Sequence, residues 1–155
     1  MKSLVRLFRY LSMLGPIGPL PASGTVASVV TALVVAVFGL QELPQFPVII
    51  LLISLISSIA VEVALPTFYS HDPRQVVLDE VVGFLIGCYF IPASWLWLTV
   101  LLAFFRFFDI IKPLGLRKLE YLPGVQGVMF DDIGAGIYAG ICTCIVRAVA
   151  LKLFV

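Results

Sequence analysis

Long apolar runs separated by short polar segments dominate this sequence. Only two of them, residues 46–65 and 133–155, are long enough to cross about 30 Å of hydrocarbon, which takes roughly 20 helical residues. The others must borrow flanking residues or remain short inside a bundle. Those shorter runs are residues 25–40, 81–91 and 95–111. The pattern predicts an all-α fold, a polytopic membrane bundle of about five helices forming a single domain over residues 1–155.

Several residues suggest where the middle helices begin and end. The third helix can start near Val76, which puts Asp79 and Glu80 in its first turns. Pro92 ends that helix because proline cannot continue it, and Ser94 is a suitable N-cap for the fourth. Asp79 and Glu80 are therefore expected at one end of the bundle.

The N-terminal segment, residues 1–14, combines apolar residues with Lys2, Arg6 and Arg9. The two arginines interrupt what would otherwise be the apolar core of a signal peptide. We therefore expect an uncleaved amphipathic segment that lies on the membrane surface.

Composition supports a membrane protein. Of the 155 residues, 61% are hydrophobic and only 12% are charged, and the mean hydropathy is +1.13. Soluble proteins carry roughly 25% charged residues, so an ordinary water-soluble domain is excluded. Ten Lys and Arg against nine Asp and Glu give a net charge of +1. This balance offers no basic excess for a nucleic-acid partner.

The basic residues predict the orientation of the bundle. The loops at residues 41–45 and 92–94 contain no Lys or Arg. By the positive-inside rule, the N-terminus and the loops rich in basic residues are cytoplasmic, and the C-terminus lies outside. Arg147 and Lys152 are exceptions whose long side chains can reach the outer interface. The residues assigned to the cytoplasmic side are Lys2, Arg6, Arg9, Arg74, Arg106, Lys112, Arg117 and Lys118.

Five of the nine acidic residues fall at predicted helix ends on this same side. Carboxylates near hydrocarbon are costly unless cations pair with them, so such a cluster indicates a functional site. The alternative is helix capping by Asp79 and Asp131 beside solvated neighbours. The cluster consists of Asp79 and Glu80 opening the third helix, Asp109 closing the fourth, and Asp131 and Asp132 opening the fifth.

Such a cluster suits a metal-dependent reaction of phosphate esters. Carboxylate oxygens are hard ligands for Mg²⁺, which also coordinates phosphate oxygens. Arg106 and Lys112 lie on the same side and can bind phosphate. Ser23, Gly24 and Thr25 precede the first long helix, where backbone N–H groups and hydroxyls can bind an anion, although such a segment is also typical of a simple turn.

Small residues predict how two of the helices pack. Asp132, Gly136 and Gly140 recur at steps of four, and Gly83 and Gly87 do the same below the acids of the third helix. Small residues at this spacing allow two helix backbones to approach closely. The third and fifth helices are therefore expected to pack with their acidic ends adjacent.

Two further features have less specific interpretations. The three cysteines, Cys88, Cys142 and Cys144, lie in apolar runs without metal-ligand spacing and are interpreted as small buried side chains. Glu62, near the end of the second helix, is either a metal ligand or a solvated interface residue.

Four segments together resemble the motifs of the phosphatidylglycerophosphatase A family, in the family's order and with similar spacing. They run from about Gly15 to Gly140. They are PASGT at residues 21–25 extending to Ser28, DP at 72–73 followed by VVLDEVVG at 76–83, RFFDIIKP at 106–113, and GVQGVMFDDIGAG at 124–136.

This resemblance implies a multi-pass enzyme of the bacterial inner membrane with its active site on the cytoplasmic side. Members hydrolyse the lipid phosphatidylglycerophosphate to phosphatidylglycerol and inorganic phosphate with Mg²⁺. Arg106 and Lys112 would face the phosphate. The implied catalytic and metal-binding acids are Asp79, Glu80, Asp109, Asp131 and Asp132.

Two alternatives belong to other classes. Another membrane phosphoryl-transfer enzyme, such as one using a CDP-lipid, would also use Mg²⁺ and aspartates, but its long Asp-Gly signature is missing. A small ion or proton transporter would place its acids near the bilayer midplane rather than at one end. The sequence leaves open the oligomeric state and whether water or a carboxylate attacks phosphorus.

Overall fold

The computed structural model describes residues 2–69 and 73–154, and within them the chain is helical and contains no strand. The all-α prediction is confirmed. Asp72 of the DP motif lies outside the described residues. The helices are α1 (Lys2–Ser12), α2 (Ser23–Phe38), α3 (Phe46–Ala64), α4 (Leu78–Cys88), α5 (Trp95–Ile111), α6 (Leu116–Glu120) and α7 (Val125–Phe154), with 3₁₀ turns at Leu40–Glu42 and Leu65–Thr67.

The structure divides the chain more finely than the predicted bundle of about five helices. Seven α-helices are present in the described residues. Two helical stretches, Phe46–Thr67 and Val125–Leu153, are long and apolar enough to cross a membrane. Helix α4 has only 11 residues and is therefore about 16 Å long, roughly half of the hydrocarbon thickness. The short helix α6 occupies a segment for which the apolar pattern predicts no element.

The last helix begins earlier than its apolar run. Gly124 has φ +62°, and α7 starts at the next residue, Val125. Asp131 and Asp132 therefore lie about two turns inside the helix, and the prediction that they open it is wrong. Because an N-cap residue must lie at the helix start, Asp131 cannot cap α7. In α4 the N-cap position is Val77, without a side-chain cap, so Asp79 does not cap that helix either.

The first long helix also begins earlier than predicted. Ala22 occupies the N-cap position in the left-handed conformation, and Ser23 is the first residue of α2. The segment expected to precede the helix is therefore its first turn. Ser94 does occupy the predicted N-cap position of α5, but its side chain makes no cap hydrogen bond.

Helices α4 and α7 pack backbone to backbone, as the glycine spacing predicts. A Cβ atom on Gly136 would overlap the carbonyl oxygen of Gly83, and one on Gly83 would overlap the backbone oxygen of Asp132. Farther along the pair, Gly87 lies against Leu101 and Gly140 against the ring of Phe90. This close approach brings Asp132, in the second turn of α7, next to Asp79 and Glu80 in the first turn of α4.

Aromatic packing holds α5 against α4. The fully buried rings of Phe84 and Phe105 meet edge to face, with their centroids 5.8 Å apart. A second buried cluster joins α3 to the chain around α4 and α7 and includes Val61, Val82 and Met129. The two buried clusters together contain side chains from α2, α3, α4, α5, α6 and α7.

Candidate active site

A cavity of about 880 Å³ lies where the N-termini of α2 and α4, the C-terminus of α5 and the second turn of α7 meet. All five predicted acids line it, and so do Arg106, Lys112, Ser23 and Gly24. Thr25 is not among the lining residues. The remaining lining residues come from the loop before α2, the loop before α4 and the end of α5: Gly18, Pro19, Leu20, Pro21, Ala22, Pro73, Arg74, Gln75, Val76 and Ile110.

Three carboxylates form the centre of the site. Asp79, Glu80 and Asp132 each offer one oxygen, and these oxygens lie within 4.8 Å of one another. Asp79 and Asp132 are buried, and Glu80 Oε2 is a buried atom with no hydrogen-bond partner in the described structure. Buried like charges without a counterion are costly. The three acids offer oxygen ligands, and Glu80 Oε2 has no hydrogen-bond donor in the described structure. This arrangement fits a hard divalent cation such as Mg²⁺.

Asp109 is paired with Arg106 one helical turn before it. The Asp109 Oδ2 to Arg106 Nη1 distance is 2.6 Å, and both side chains are less than one-fifth exposed. The pair follows from the spacing of three on a single helix face. Arg106 Nε is buried without a hydrogen-bond partner among the described residues, so it retains a donor for an anion in the cavity.

Lys112 joins Asp131 to α6. Its Nζ lies 2.6 Å from Asp131 Oδ2 and 3.2 Å from Glu120 Oε2. Lys112 is the C-cap residue of α5 with φ 49°, and its N–H donates to the carbonyl oxygen of Phe108. Burial works to lower the pKa of Lys112, but the hydrogen bonds and charges of Asp131 and then Glu120 raise this pKa above its ordinary value. Lys112 is thus a fixed cation at the edge of the carboxylates.

The first turn of α2 closes the site on another side. A Cβ atom on Gly24 would overlap Glu80 Oε1 and lie 3.1 Å from Arg106 Nη1, so a larger residue here would displace the Glu80 carboxylate. The first N–H groups of a helix have no intrahelical acceptor and can therefore bind an anion. The Ser23 hydroxyl was expected to bind an anion. In the structure it donates a hydrogen bond to the carbonyl oxygen of Arg74 at 3.0 Å.

Three residues at the site were missed by the sequence pattern. Arg74 and Gln75 line the cavity, although Arg74 served only as an indicator of orientation. Glu120 forms an ion pair with Lys112. The two residues are eight apart in the sequence, and neither a helix nor a strand would bring residues at this spacing into contact. No local signal identifies these residues, because their roles depend on how α6 and the loop before α4 fold back.

Glu62 does not line the cavity. Its Oε2 accepts a hydrogen bond from the N–H of Val125 at 3.4 Å, at the first residue of α7. A carboxylate there interacts favourably with the positive end of the helix dipole. Of the two alternatives, the structure therefore favours an exposed carboxylate, which here links the end of α3 to the start of α7.

The cysteines lie away from the cavity. Cys88 is buried and is not disulfide-bonded, and Cys142 and Cys144 are also free but only partly buried. The thiol of Cys144 donates to the carbonyl oxygen of Phe90. Their interpretation as small packing residues is confirmed for Cys88 and holds in part for the other two.

Comparison with known proteins identifies the family. The family model described as Phosphatidylglycerophosphatase A matches residues 10–147. The chain belongs to this family. The Phosphatidylglycerophosphatase A match covers every acid and cation of the cavity. No solved structure matches the chain.

Three curated relatives match part of the chain. A protein of Bacteroides thetaiotaomicron named "Putative phosphatidylinositol-3-phosphatase" is 43% identical over 54% of this chain and 54% of its own length. Proteins named Phosphatidylglycerophosphatase A are 46% identical in Haemophilus influenzae, over 44% of each chain, and 36% identical in Escherichia coli, over 43% of this chain and 40% of the relative. The chain thus matches about half or less of each relative's length.

Proposed function

We propose that this protein is a Mg²⁺-dependent lipid phosphatase that hydrolyses phosphatidylglycerophosphate to phosphatidylglycerol and inorganic phosphate in glycerophospholipid biosynthesis. The observation that carries the proposal is the cluster of Asp79, Glu80 and Asp132 beside Arg106 and Lys112. Family membership supports the substrate and the reaction.

Asp79, Glu80 and Asp132 are the residues that would hold the metal ion, because their oxygens already converge within 4.8 Å. When bound there, Mg²⁺ would neutralise phosphate charge and favour deprotonation of water. The protein's own contribution is to keep three carboxylates together in a buried position, which the α4 and α7 packing achieves.

The cations of the chain bind and orient the phosphate. Arg106 donates from Nε, and Lys112 contributes its positive charge beside Asp131. Asp109 and Asp131 hold these cations at 2.6 Å, so the positive groups are in place before substrate arrives. Preorganised donors stabilise the charge that develops on the phosphoryl oxygens in the transition state.

An acid of the cavity that does not hold the metal ion, Asp109 or Asp131, accepts a proton from the attacking water as the new phosphorus–oxygen bond forms. The bond to the glycerol oxygen breaks on the opposite side, that oxygen takes up a proton from solvent water, and the carboxylate releases its proton to solvent. The direct route is preferred because the cysteines lie outside the cavity and the sequence has no Asp-x-Asp pair. The alternative is attack by Asp109 or Asp131. Acid-quench trapping distinguishes the routes, because an aspartyl-phosphate that forms and decays as fast as turnover would contradict direct attack by water.

We further propose that the protein is a multi-pass protein of the bacterial inner membrane with this site on the cytoplasmic side. Two helices are suited to span the bilayer. Helix α1 presents Leu4, Leu7 and Leu11 as an exposed apolar face, and Arg9 lies 4.7 Å from the ring centroid of Phe68. An amphipathic helix of this kind suits the membrane surface.

The direct test is phosphate release by the purified protein in detergent, with Mg²⁺, without added metal and with EDTA. We expect release from phosphatidylglycerophosphate that requires Mg²⁺ and stops with EDTA. Absence of metal-dependent release would contradict the proposal. Transfer of the lipid phosphoryl group from a CDP-lipid to an alcohol, with release of CMP, would instead favour the alternative phosphoryl-transfer enzyme. Ion flux in vesicles without hydrolysis would favour a transporter.

A second candidate substrate comes from the name of the Bacteroides thetaiotaomicron relative. Phosphatidylinositol 3-phosphate also carries a phosphomonoester on a headgroup that a phosphodiester joins to the lipid. The same assay with this lipid decides between the two substrates through their kcat/KM values. We expect the higher value for phosphatidylglycerophosphate.

A further inference from the structure

The cavity is larger than one phosphate group requires. Its volume of about 880 Å³ lies near the upper end of the range of roughly 300–1,000 Å³ for small-molecule sites. The carboxylates, Arg106 and Lys112 account for one part of the lining. The turn that carries Arg74 and Gln75 forms another part.

The turn before α4 is held firmly although two of its side chains are exposed. The N–H of Val76 donates to the carbonyl oxygen of Pro73 at 2.9 Å and closes the turn. The carbonyl oxygen of Arg74 accepts from Ser23 Oγ, and a Cβ atom on Gly18 would overlap the carbonyl oxygen of Gln75. These contacts fix the backbone from which the Arg74 side chain extends.

Arg74 differs from the other cations of the cavity in having no ion pair in the described structure. Arg106 is paired with Asp109, and Lys112 with Asp131 and Glu120. Arg74 is exposed and lines the same cavity. Its planar guanidinium can donate two parallel hydrogen bonds to a phosphate. A cation whose backbone is held by these contacts, and which has no carboxylate partner among the described residues, is suited to a second anionic group of the ligand.

We propose that Arg74 is a specificity-determining residue that binds the phosphodiester of the lipid headgroup while the phosphomonoester lies at the carboxylate cluster. The inference rests on the proposed function, whose substrate carries both groups joined through glycerol. Arg74 then favours lipids with two phosphates over lipids whose only phosphate is the one removed.

The test compares Arg74→Gln with the wild-type protein on phosphatidylglycerophosphate in detergent. A charge-assisted hydrogen bond contributes enough to binding that we expect KM to rise roughly tenfold to a hundredfold, with kcat within about threefold because the reacting group is elsewhere. Arg74→Lys should recover part of the affinity. The matched control is Arg117→Gln, an exposed arginine on α6 that does not line the cavity, and it should behave as the wild type.

Two inhibitors separate the two subsites. Phosphatidylglycerol keeps the phosphodiester, so its inhibition constant should rise in Arg74→Gln as much as KM does. Inorganic phosphate mimics the monoester, so its inhibition constant should stay unchanged. An unchanged KM, or equal rises for both inhibitors, overturns the role of Arg74. Wild-type protein that releases no phosphate from phosphatidylglycerophosphate overturns the proposed function and this inference together, whereas an active wild type with an unaffected Arg74→Gln overturns the inference alone.

Discussion

The carbonyl oxygen of Gly83 occupies the space that a Cβ atom on Gly136 would need. This contact joins α4 to α7 one turn beyond Glu80 and Asp132, which belong to the carboxylate cluster. The distance between the two helix backbones therefore determines whether acids from both helices can hold one ion. Packing and chemistry are coupled at this point.

Gly136→Ala should separate α4 from α7. The new methyl group meets backbone, which cannot move aside as a side chain can, so we expect a loss of about 1–3 kcal/mol in stability and a strong loss of activity. Thermal unfolding in detergent and phosphate release measure the two effects.

Gly134→Ala is the matched control on the same helix. Its Cβ atom would meet the side chains of Leu116 and Leu119 and no backbone atom among its nearest neighbours. A leucine side chain can change rotamer, and alanine favours a helix by up to about 1 kcal/mol over glycine. This variant should keep nearly wild-type stability. Equal effects of the two substitutions would show that the contact between Gly136 and Gly83 is not critical.

Asp79→Asn and Asp131→Asn should each reduce kcat by roughly two orders of magnitude or more, because an amide keeps the shape but loses the charge that holds a metal ion or orients a cation. Both proteins should retain their helicity by circular dichroism. Glu42→Gln, an exposed acid in the 3₁₀ turn after α2, is the control and should remain active. Full activity in either aspartate variant would remove that acid from the mechanism.

Lys112 should remain charged over the whole working range of the enzyme. Its pKa is raised on folding, so its stabilising effect is fully present below the ordinary lysine value of about 10.4 and is lost only as the pH rises from there through the raised pKa. The stability difference between wild type and Lys112→Met, measured by thermal unfolding, should thus be constant from about pH 6 to pH 9.

Lys118→Met provides the control for this titration, because Lys118 is exposed on α6 and has no ion pair in the described structure. It should leave stability nearly unchanged at every pH. A difference for Lys112→Met that shrinks between pH 6 and pH 9 would contradict the raised pKa.

Cysteine labelling tests the orientation in the membrane. With Cys88, Cys142 and Cys144 replaced, a cysteine at Lys118 should react with a membrane-impermeant reagent only after cells are opened. A cysteine at Gln45 should react in intact cells. Both positions are exposed, so accessibility reports the side of the membrane and not burial. Labelling at position 118 in intact cells would show that the orientation is the reverse of the one proposed.

The sequence alone determined the helical class, the limits of α5 and the set of five acids that line the cavity. Apolar runs give helices wherever their length suffices, and the predicted limits 95–111 agree with α5 at Trp95–Ile111. The glycine spacing also predicted which helices pack together, because only small residues permit a close backbone approach. These features are local or periodic, so they can be recognised without coordinates.

Only the tertiary structure decided which acids form the carboxylate centre and which acids form ion pairs with the cations of the cavity. Asp79, Glu80 and Asp132 share one centre, whereas Asp109 and Asp131 are taken by Arg106 and Lys112. It also revealed that Glu120 forms an ion pair with Lys112, and that Arg74 lines the cavity without an ion pair among the residues that the structure describes. The pair of Arg106 and Asp109 follows from their spacing on one helix. Sequence spacing cannot predict the other pairings, because they depend on distances between elements far apart along the chain, and the strength of each interaction depends on those distances and on burial.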